Sequence, residues 1–305
     1  MKILITGAGG MLGSDLAACL GAKHDVVGVG RKAAAHLEIP YRIVDLAQPD
    51  AAMKLVRDLQ PEAVLHAAAM TDVDQCESER VEALRGNFGM TRAVVDAANQ
   101  AKALFIFFST DYVFDGNQPS PYVETDTPHP INVYGETKFL AEKYILIRGK
   151  RFLILRASWT FGKYGNNFPK KVLKLAETGK PFSVVSDQYG NPTYTEDLAG
   201  AVAQILEGLP RVGKKSENQI YHVANAGRVS RYEFARTALK KKGLPLNLVV
   251  PVTGEKVVRP AKRPENSVLS TDKLKEDFGI RLRGWEKALE AYLEKEKIGV
   301  VDAKN

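Results

Sequence analysis

The chain has few cysteines, no long apolar run and no basic stripe, and each lack removes a class of protein. Only Cys19 and Cys76 occur among 305 residues, with no metal-type spacing between them. A disulfide framework is therefore excluded and a reduced, cytoplasmic setting is expected. No apolar run approaches the roughly 20 residues that cross a bilayer, so no membrane partner is expected. A single Lys2 stands before the first strand, which predicts no secretory leader. The formal net charge of +7 is spread over small clusters: Lys170-Lys171, Lys214-Lys215, Lys240 to Lys242 and Lys262-Arg263. With no aromatic residues interleaved, that reads as a solvated surface and not a nucleic-acid footprint. What is present, 45% hydrophobic and 26% charged residues, suits a soluble globular chain of one large domain or two intimate ones.

The first thirteen residues carry the strongest signal. An apolar strand, Ile3 to Ile5, runs into Gly7, Gly10 and Gly13, and an amphipathic stretch, Leu12 to Leu20, follows at once. A glycine-rich turn between strand and helix brings backbone N–H groups and the positive helix end to a pyrophosphate, so a dinucleotide site is expected here.

Further strands are expected at Asp25–Val29, Tyr41–Val44, Ala63–Ala67, Leu104–Phe108 and Phe152–Leu155, after Lys2–Thr6. They are short, apolar and mostly not alternating, as in a parallel sheet buried on both faces. Helical segments lie between them, clearest at Ala51–Leu59, Arg80–Gln100 and Val133–Ile147. The alternation predicts an α/β fold: a doubly wound parallel (Rossmann) sheet with a smaller C-terminal substrate-binding lobe. Residues 1–160 would form the dinucleotide-binding part, with about 193–225 returning to it, and 161–305 mainly the lobe. Helices are expected there at Asn167–Thr178, Thr195–Leu206 and, from the capping box Ser230-x-x-Glu233, at Arg231–Lys242.

Two clusters carry chemistry. Tyr134 and Lys138 stand four apart at the start of a helix, hence on one face, and Tyr134 is the only one of eleven tyrosines with Lys at that spacing. An ammonium beside a phenol favours phenolate and would bring it toward neutrality as a proton donor or acceptor. At the end of the fifth strand stand Ser109 and Thr110. Ligands of open α/β sheets bind off the carboxyl ends of strands, where a hydroxyl can meet a reacting oxygen.

Together these motifs resemble the extended short-chain dehydrogenase/reductases that act on nucleotide sugars, and most closely the dTDP-4-dehydrorhamnose reductase family. The likeness is carried by Ala67 to Glu77, Ser109 to Phe114, Pro130 to Lys138, Arg156 to Trp159, Gly165 to Phe168, Asp187 to Thr193, Arg263 to Leu269 and Trp285, nearly the whole chain. The resemblance implies reduction of a 4-keto group on dTDP-6-deoxy-L-lyxo-4-hexulose, the last step of dTDP-L-rhamnose formation, with NADPH or NADH as donor. Under it, Tyr134 would protonate the forming alkoxide, Lys138 would bind the nicotinamide ribose, and Thr110 would hydrogen-bond the keto oxygen. Asp111 and Trp159 would lie against the sugar, Trp159 offering an apolar face. Gly7, Gly10, Met11 and Leu12 would meet the pyrophosphate and Asp45-Leu46 the adenine, with Ala69, Met70 and Thr71 along the cofactor's path.

Two departures bear on this. The second strand ends Val29-Gly30-Arg31-Lys32, with no acid where NADH-using relatives carry one, so Arg31 is expected to favour NADPH. Some relatives bridge a homodimer through Mg²⁺. Asp15 and Glu196 could serve, but a third acid does not align (Glu294 is close, Lys295 nearer), so no metal is predicted. The competing readings are a non-catalytic nucleotide-binding subunit resembling the beta subunit of methionine adenosyltransferase, or a nucleotide-sugar epimerase or dehydratase. Tyr112 after Thr110-Asp111 lacks the dehydratase acid, and intact Thr110, Tyr134 and Lys138 argue for chemistry.

Overall fold

The computed structural model describes residues 1–48, 50–213 and 216–295. Six strands, separated by helices except between β2 and β3, are β1 (Lys2–Thr6), β2 (Asp25–Gly30), β3 (Tyr41–Ile43), β4 (Ala63–His66), β5 (Leu104–Thr110) and β6 (Phe152–Ala157). With the strand Gln219–His222 they form one seven-stranded sheet, whose order from that strand runs β6, β5, β4, β1, β2, β3. All its pairings are parallel. The chain thus winds outward from β1 in both directions, and a crevice opens where the order reverses, between β1 and β4.

Parallel pairing requires crossover connections, here mostly helical, and both sheet faces are covered. On one face α1 (Met11–Gly21) packs beside the helix Thr195–Val212, burying Leu16 and Leu20 against Leu198, Val202 and Ile205. On the other lie α2 (Ala51–Leu59), α5 (Met90–Gln100) and α6 (Val133–Arg148), with Leu55, Val94, Val95 and Ile145 against Phe105 and Phe107. Each such buried side chain contributes about 1.5–3 kcal/mol, which explains why these strands read as continuous apolar runs. A third apolar cluster gathers Phe161, Leu173, Tyr194, Phe234, Trp285 and Tyr292 from the later half of the chain.

The expected strands and helices recur with shifted ends, and the strand Gln219–His222 and the helices Asp272–Phe278 and Trp285–Lys295 are additional to them. The expected single helix Arg80–Gln100 is preceded by α3 (Val73–Ser78) and divided into α4 (Arg80–Ala83), a π-helical segment Leu84–Gly89, and α5. The cause lies in Asn87: its side chain accepts from Met70 N at 2.7 Å and donates to Met70 O at 3.1 Å and Thr137 Oγ1 at 3.0 Å. Widening the helix by one residue aims that amide inward, as π-bulges at functional sites do. The helix from Thr195 runs on to Val212, past Pro210 in its last turn. β5 continues to Thr110, so Thr110 ends the strand rather than leaving it.

Candidate active site

The first βα turn is built around two glycines. Gly7 has φ +68°, and a Cβ there would lie 2.7 Å from Ala68 N, so the turn presses against the chain leaving β4. A Cβ on Gly13 would meet Gly7 O at 2.1 Å, which lets α1 start directly above the turn. Gly10 caps α1 without a side-chain acceptor. The first N–H groups of the helix are thus left to an external anion, at the positive end of the helix dipole.

The second cluster comes from β5 and α6. Asn132 caps α6 by accepting from Gly135 N at 2.8 Å, and the helix then carries Tyr134 and Lys138 on one face. Lys138 is 3% exposed, and its Nζ lies 4.0 Å from the Phe107 ring centroid. Burial lowers Lys138 to about 7, against the attraction of Glu142 one turn on. Tyr134 departs from the sequence expectation. Burial pushes its phenol well above the ordinary value, the Asp111 charge adds to this, and a hydrogen bond with Thr110 only partly opposes it. Desolvation disfavours the phenolate, so Tyr134 holds its proton. A neutral phenol next to a hydroxyl is the form that can give a proton to a developing alkoxide.

Thr110 Oγ1 donates to Asp111 Oδ1 at 3.0 Å and accepts from Tyr112 N at 3.1 Å, while Ser158 Oγ donates to Asp111 Oδ2 at 3.0 Å. Burial raises Asp111, and hydrogen bonds from Ser267, Thr110 and Ser158 together with the Arg231 charge work the other way. Behind the turn, His66 on β4 lies between Thr6 Oγ1 at 2.7 Å and Thr91 Oγ1 at 3.0 Å. Burial holds His66 down to about 3, with the Lys138 charge adding, so it is a neutral spacer beneath the lysine.

Turn and cluster open into one cavity of about 1030 Å³, at the top of the roughly 300–1,000 Å³ usual for a ligand site. Every residue expected at the site lines it: Gly7, Gly10, Met11, Leu12, Arg31, Asp45, Leu46, Ala69, Met70, Thr71, Thr110, Asp111, Tyr134, Lys138 and Trp159. Asp45 is held below its usual range by hydrogen bonds from Gln48 and Ala47 N, with the Arg31 and Arg85 charges adding. Lys32 and Arg85 line the same end, so three cations gather there. Arg231 also lines the cavity, and Asn87 fixes the Met70 wall from behind. Neither follows from sequence reasoning, although Gly86-Asn87 inside a helical run was a visible irregularity.

Asp15 and Glu196 stand elsewhere, at the contact of α1 with the helix Thr195–Val212. Thr195 Oγ1 donates a short hydrogen bond to Asp15, burial lifts Asp15 to about 6, and Lys295 pairs with Glu196. Among the described residues no group of three His, Cys, Asp or Glu side chains converges on a point.

Fold and site together define a nucleotide-binding α/β protein of the short-chain dehydrogenase/reductase type, with a Tyr–Lys pair and a strand-end Thr facing a dinucleotide turn. The chain belongs to the family whose model is described as RmlD substrate binding domain, which matches residues 1–298. It is 36% identical to a dTDP-4-dehydrorhamnose reductase of Burkholderia thailandensis, over 95% of this chain and 97% of that one. It is 38% identical to the spore coat polysaccharide biosynthesis protein SpsK of Bacillus subtilis, over 96% and 97%. The crystal structure of dTDP-4-dehydrorhamnose reductase from Bacillus anthracis in complex with NADP superposes with TM-score 0.87 at 32% identity, covering 97% of this chain and 99% of that one. A Thermus thermophilus UDP-glucose 4-epimerase complexed with NAD, at 21% identity and TM-score 0.84, shares the fold.

Proposed function

We propose that this protein reduces the 4-keto group of dTDP-4-dehydro-β-L-rhamnose to dTDP-L-rhamnose with NADPH, the last step of dTDP-L-rhamnose biosynthesis, NADH being the alternative donor. The observation that carries this is the convergence of Thr110, Tyr134 and Lys138 on the cavity that also holds the glycine turn. The uncapped start of α1 suits the pyrophosphate of a dinucleotide, and the cations at Arg31, Lys32 and Arg85 suit a 2′-phosphate. When bound, NADPH supplies the hydride. The chain's own part is to bind, orient and move a proton. Tyr134 would donate to the keto oxygen, and Thr110 would turn its hydroxyl there from Asp111, donors that strengthen as charge develops. Tyr134, kept neutral by burial, gives its proton to that oxygen. Lys138 steadies the ribose and, when charged, the phenolate left behind.

The domain reading follows: residues 1–160, rejoined by about 193–225, seat the cofactor, and the remainder of 161–305 closes on the sugar. A cytoplasmic setting and a homodimer belong to the same reading. No described helix is long and apolar enough to cross a membrane. Against the non-catalytic and dehydratase readings stand the complete Thr110–Tyr134–Lys138 set and Tyr112, where a dehydratase acid would be required. The test couples the purified protein to enzymes that generate the 4-keto sugar nucleotide and follows NADPH absorbance. Substrate-dependent oxidation yielding dTDP-L-rhamnose is expected, and its absence from folded protein would defeat the reading.

A further inference from the structure

Trp159 stands out in the backbone before it does in the cavity: it has φ +45°, left-handed geometry that a bulky residue adopts rarely and at a cost of order 1–3 kcal/mol. What holds it there is a sandwich. A Cβ on Gly190 would fall 2.4 Å from Cε2, 2.7 Å from Nε1 and 2.8 Å from Cδ2 of the indole. Cε2 is a ring-fusion atom with its three in-plane directions taken by bonds, so Gly190 lies against a ring face. Arg231 stacks on the indole as well, its Cζ 3.5 Å from the ring centroid. A guanidinium on Gly190's side would crowd the same spot, yet none of its atoms is among the three nearest to that Cβ position. Arg231 therefore covers the opposite face. Of the two, Arg231 lines the cavity and Gly190 does not. The wall runs Gly190, Trp159, Arg231, cavity.

The backbone explains the arrangement. Gly190 pairs antiparallel with Val229 in a short ribbon, and Arg231 N donates to Gln188 O at 3.1 Å, so Arg231 leaves the ribbon at the height of the indole. Its charge also faces Tyr112 and Asp111. A guanidinium has five N–H donors in a rigid plane; stacking uses none of them, and Tyr112 engages only part of the edge.

We propose that Arg231 is a specificity-determining, ligand-binding residue whose guanidinium, laid on Trp159, donates hydrogen bonds to ligand oxygens, so that the wall offers donors where an indole face would offer only apolar surface. The acceptor is an oxygen of the sugar or of its diphosphate. This rests on the nucleotide-sugar reading above.

The test measures KM for the 4-keto sugar nucleotide, and affinities for dTDP-L-rhamnose, dTDP and NADPH, in Arg231→Met and Arg231→Lys. Arg231→Met is expected to weaken dTDP-L-rhamnose binding and raise the sugar-nucleotide KM about 10- to 100-fold, the scale of a charge-assisted hydrogen bond, with NADPH affinity within twofold. A parallel loss with dTDP assigns the acceptor to the diphosphate, and unchanged dTDP affinity assigns it to the sugar. Arg231→Lys keeps the charge without the stacked plane and should recover only part of the loss. The chain has two tryptophans, so the emission missing in Trp159→Phe identifies Trp159, and Arg231→Met should alter that component. Should Arg231→Met not fold, Arg231→Lys and Gly190→Ala, which pushes the indole toward the cavity, are expected to raise the same KM. Unchanged sugar-nucleotide KM and affinity in a folded Arg231 variant, with active wild type, would overturn the inference. Wild type that oxidises no NADPH would instead defeat the reductase reading.

Discussion

Tyr134→Phe removes one oxygen from a half-buried ring that packs edge-on against Tyr112, with centroids 6.2 Å apart and planes at 78°. The ring contact survives, so folding and NADPH affinity should change little. The proton donor does not survive. General acid catalysis typically contributes 10²–10⁴-fold, which at 1.36 kcal/mol per decade is about 2.7–5.4 kcal/mol of barrier. Burial keeps the phenol protonated through the neutral region, so the wild type holds its donor loaded, and Thr110, its neighbour, has no comparably acidic proton to substitute. Single-turnover reduction followed by NADPH absorbance should therefore slow at least a hundredfold, with the cofactor Kd within about twofold. Turnover near wild type would mean that the proton comes from water or another side chain, and the assignment of Tyr134 would fall.

Three further outcomes follow from the same geometry. Because burial brings Lys138 to about 7 in the ligand-free protein, its charged form is lost as pH rises through that value. The kcat/KM for NADPH should then decline above about pH 7, and Lys138→Met should both weaken NADPH binding and abolish that limb; an unchanged pH profile would remove Lys138 from the ribose. Arg31→Ala should raise the KM for NADPH about tenfold or more while leaving NADH nearly untouched, on the scale of a lost charge-assisted bond, and equal losses with both donors would show that Arg31 is only a solvated loop residue. Acid should destabilise the fold: His66 and His222 are both held near 3 by burial against an ordinary 6.5. Between those values the unfolded chain binds more protons, so stability present above about pH 6.5 is lost as pH falls toward 3. Asp15, lifted to about 6 by burial, works oppositely between 6 and its ordinary 3.8, and denaturant midpoints from pH 7 to 4 that rise rather than fall would refute the histidine account.

The parts of this protein visible in the sequence are those whose cause is local. β1, β4 and β5 read as strands because a strand buried on both faces is apolar along most of its length, with polar residues at its ends. The glycine turn reads as a phosphate site because its strand, turn and helix are contiguous. Tyr134 and Lys138 read as a pair because one helical turn joins them. The resemblance supplied the roles of Thr110 and Trp159. What was hidden depends on segments that meet only after folding. The π-segment at Leu84–Gly89 shows on paper only as Gly86-Asn87 within a helical run; it widens because Asn87 finds Met70 and Thr137, fifty residues away in one case.

The tyrosine shows the same limit in its energetics. Spacing alone puts an ammonium beside the phenol and suggests a lowered pKa, whereas the fold buries both groups and reverses the sign. Proximity sets which charges can interact; burial sets which of them persist. Arg231 is the clearest case. Nothing in Ser230-Arg231-Tyr232 marks a binding group, and a first helical residue is ordinarily solvated. It becomes a wall of the cavity because Gly190 has no side chain, which lets the indole of Trp159 lie flat on the ribbon and carry the guanidinium on its other face. Three residues from three segments make that surface. The one without a side chain decides whether the other two can stack, so a pocket of this kind is legible in sequence only once the approach of its backbone is known.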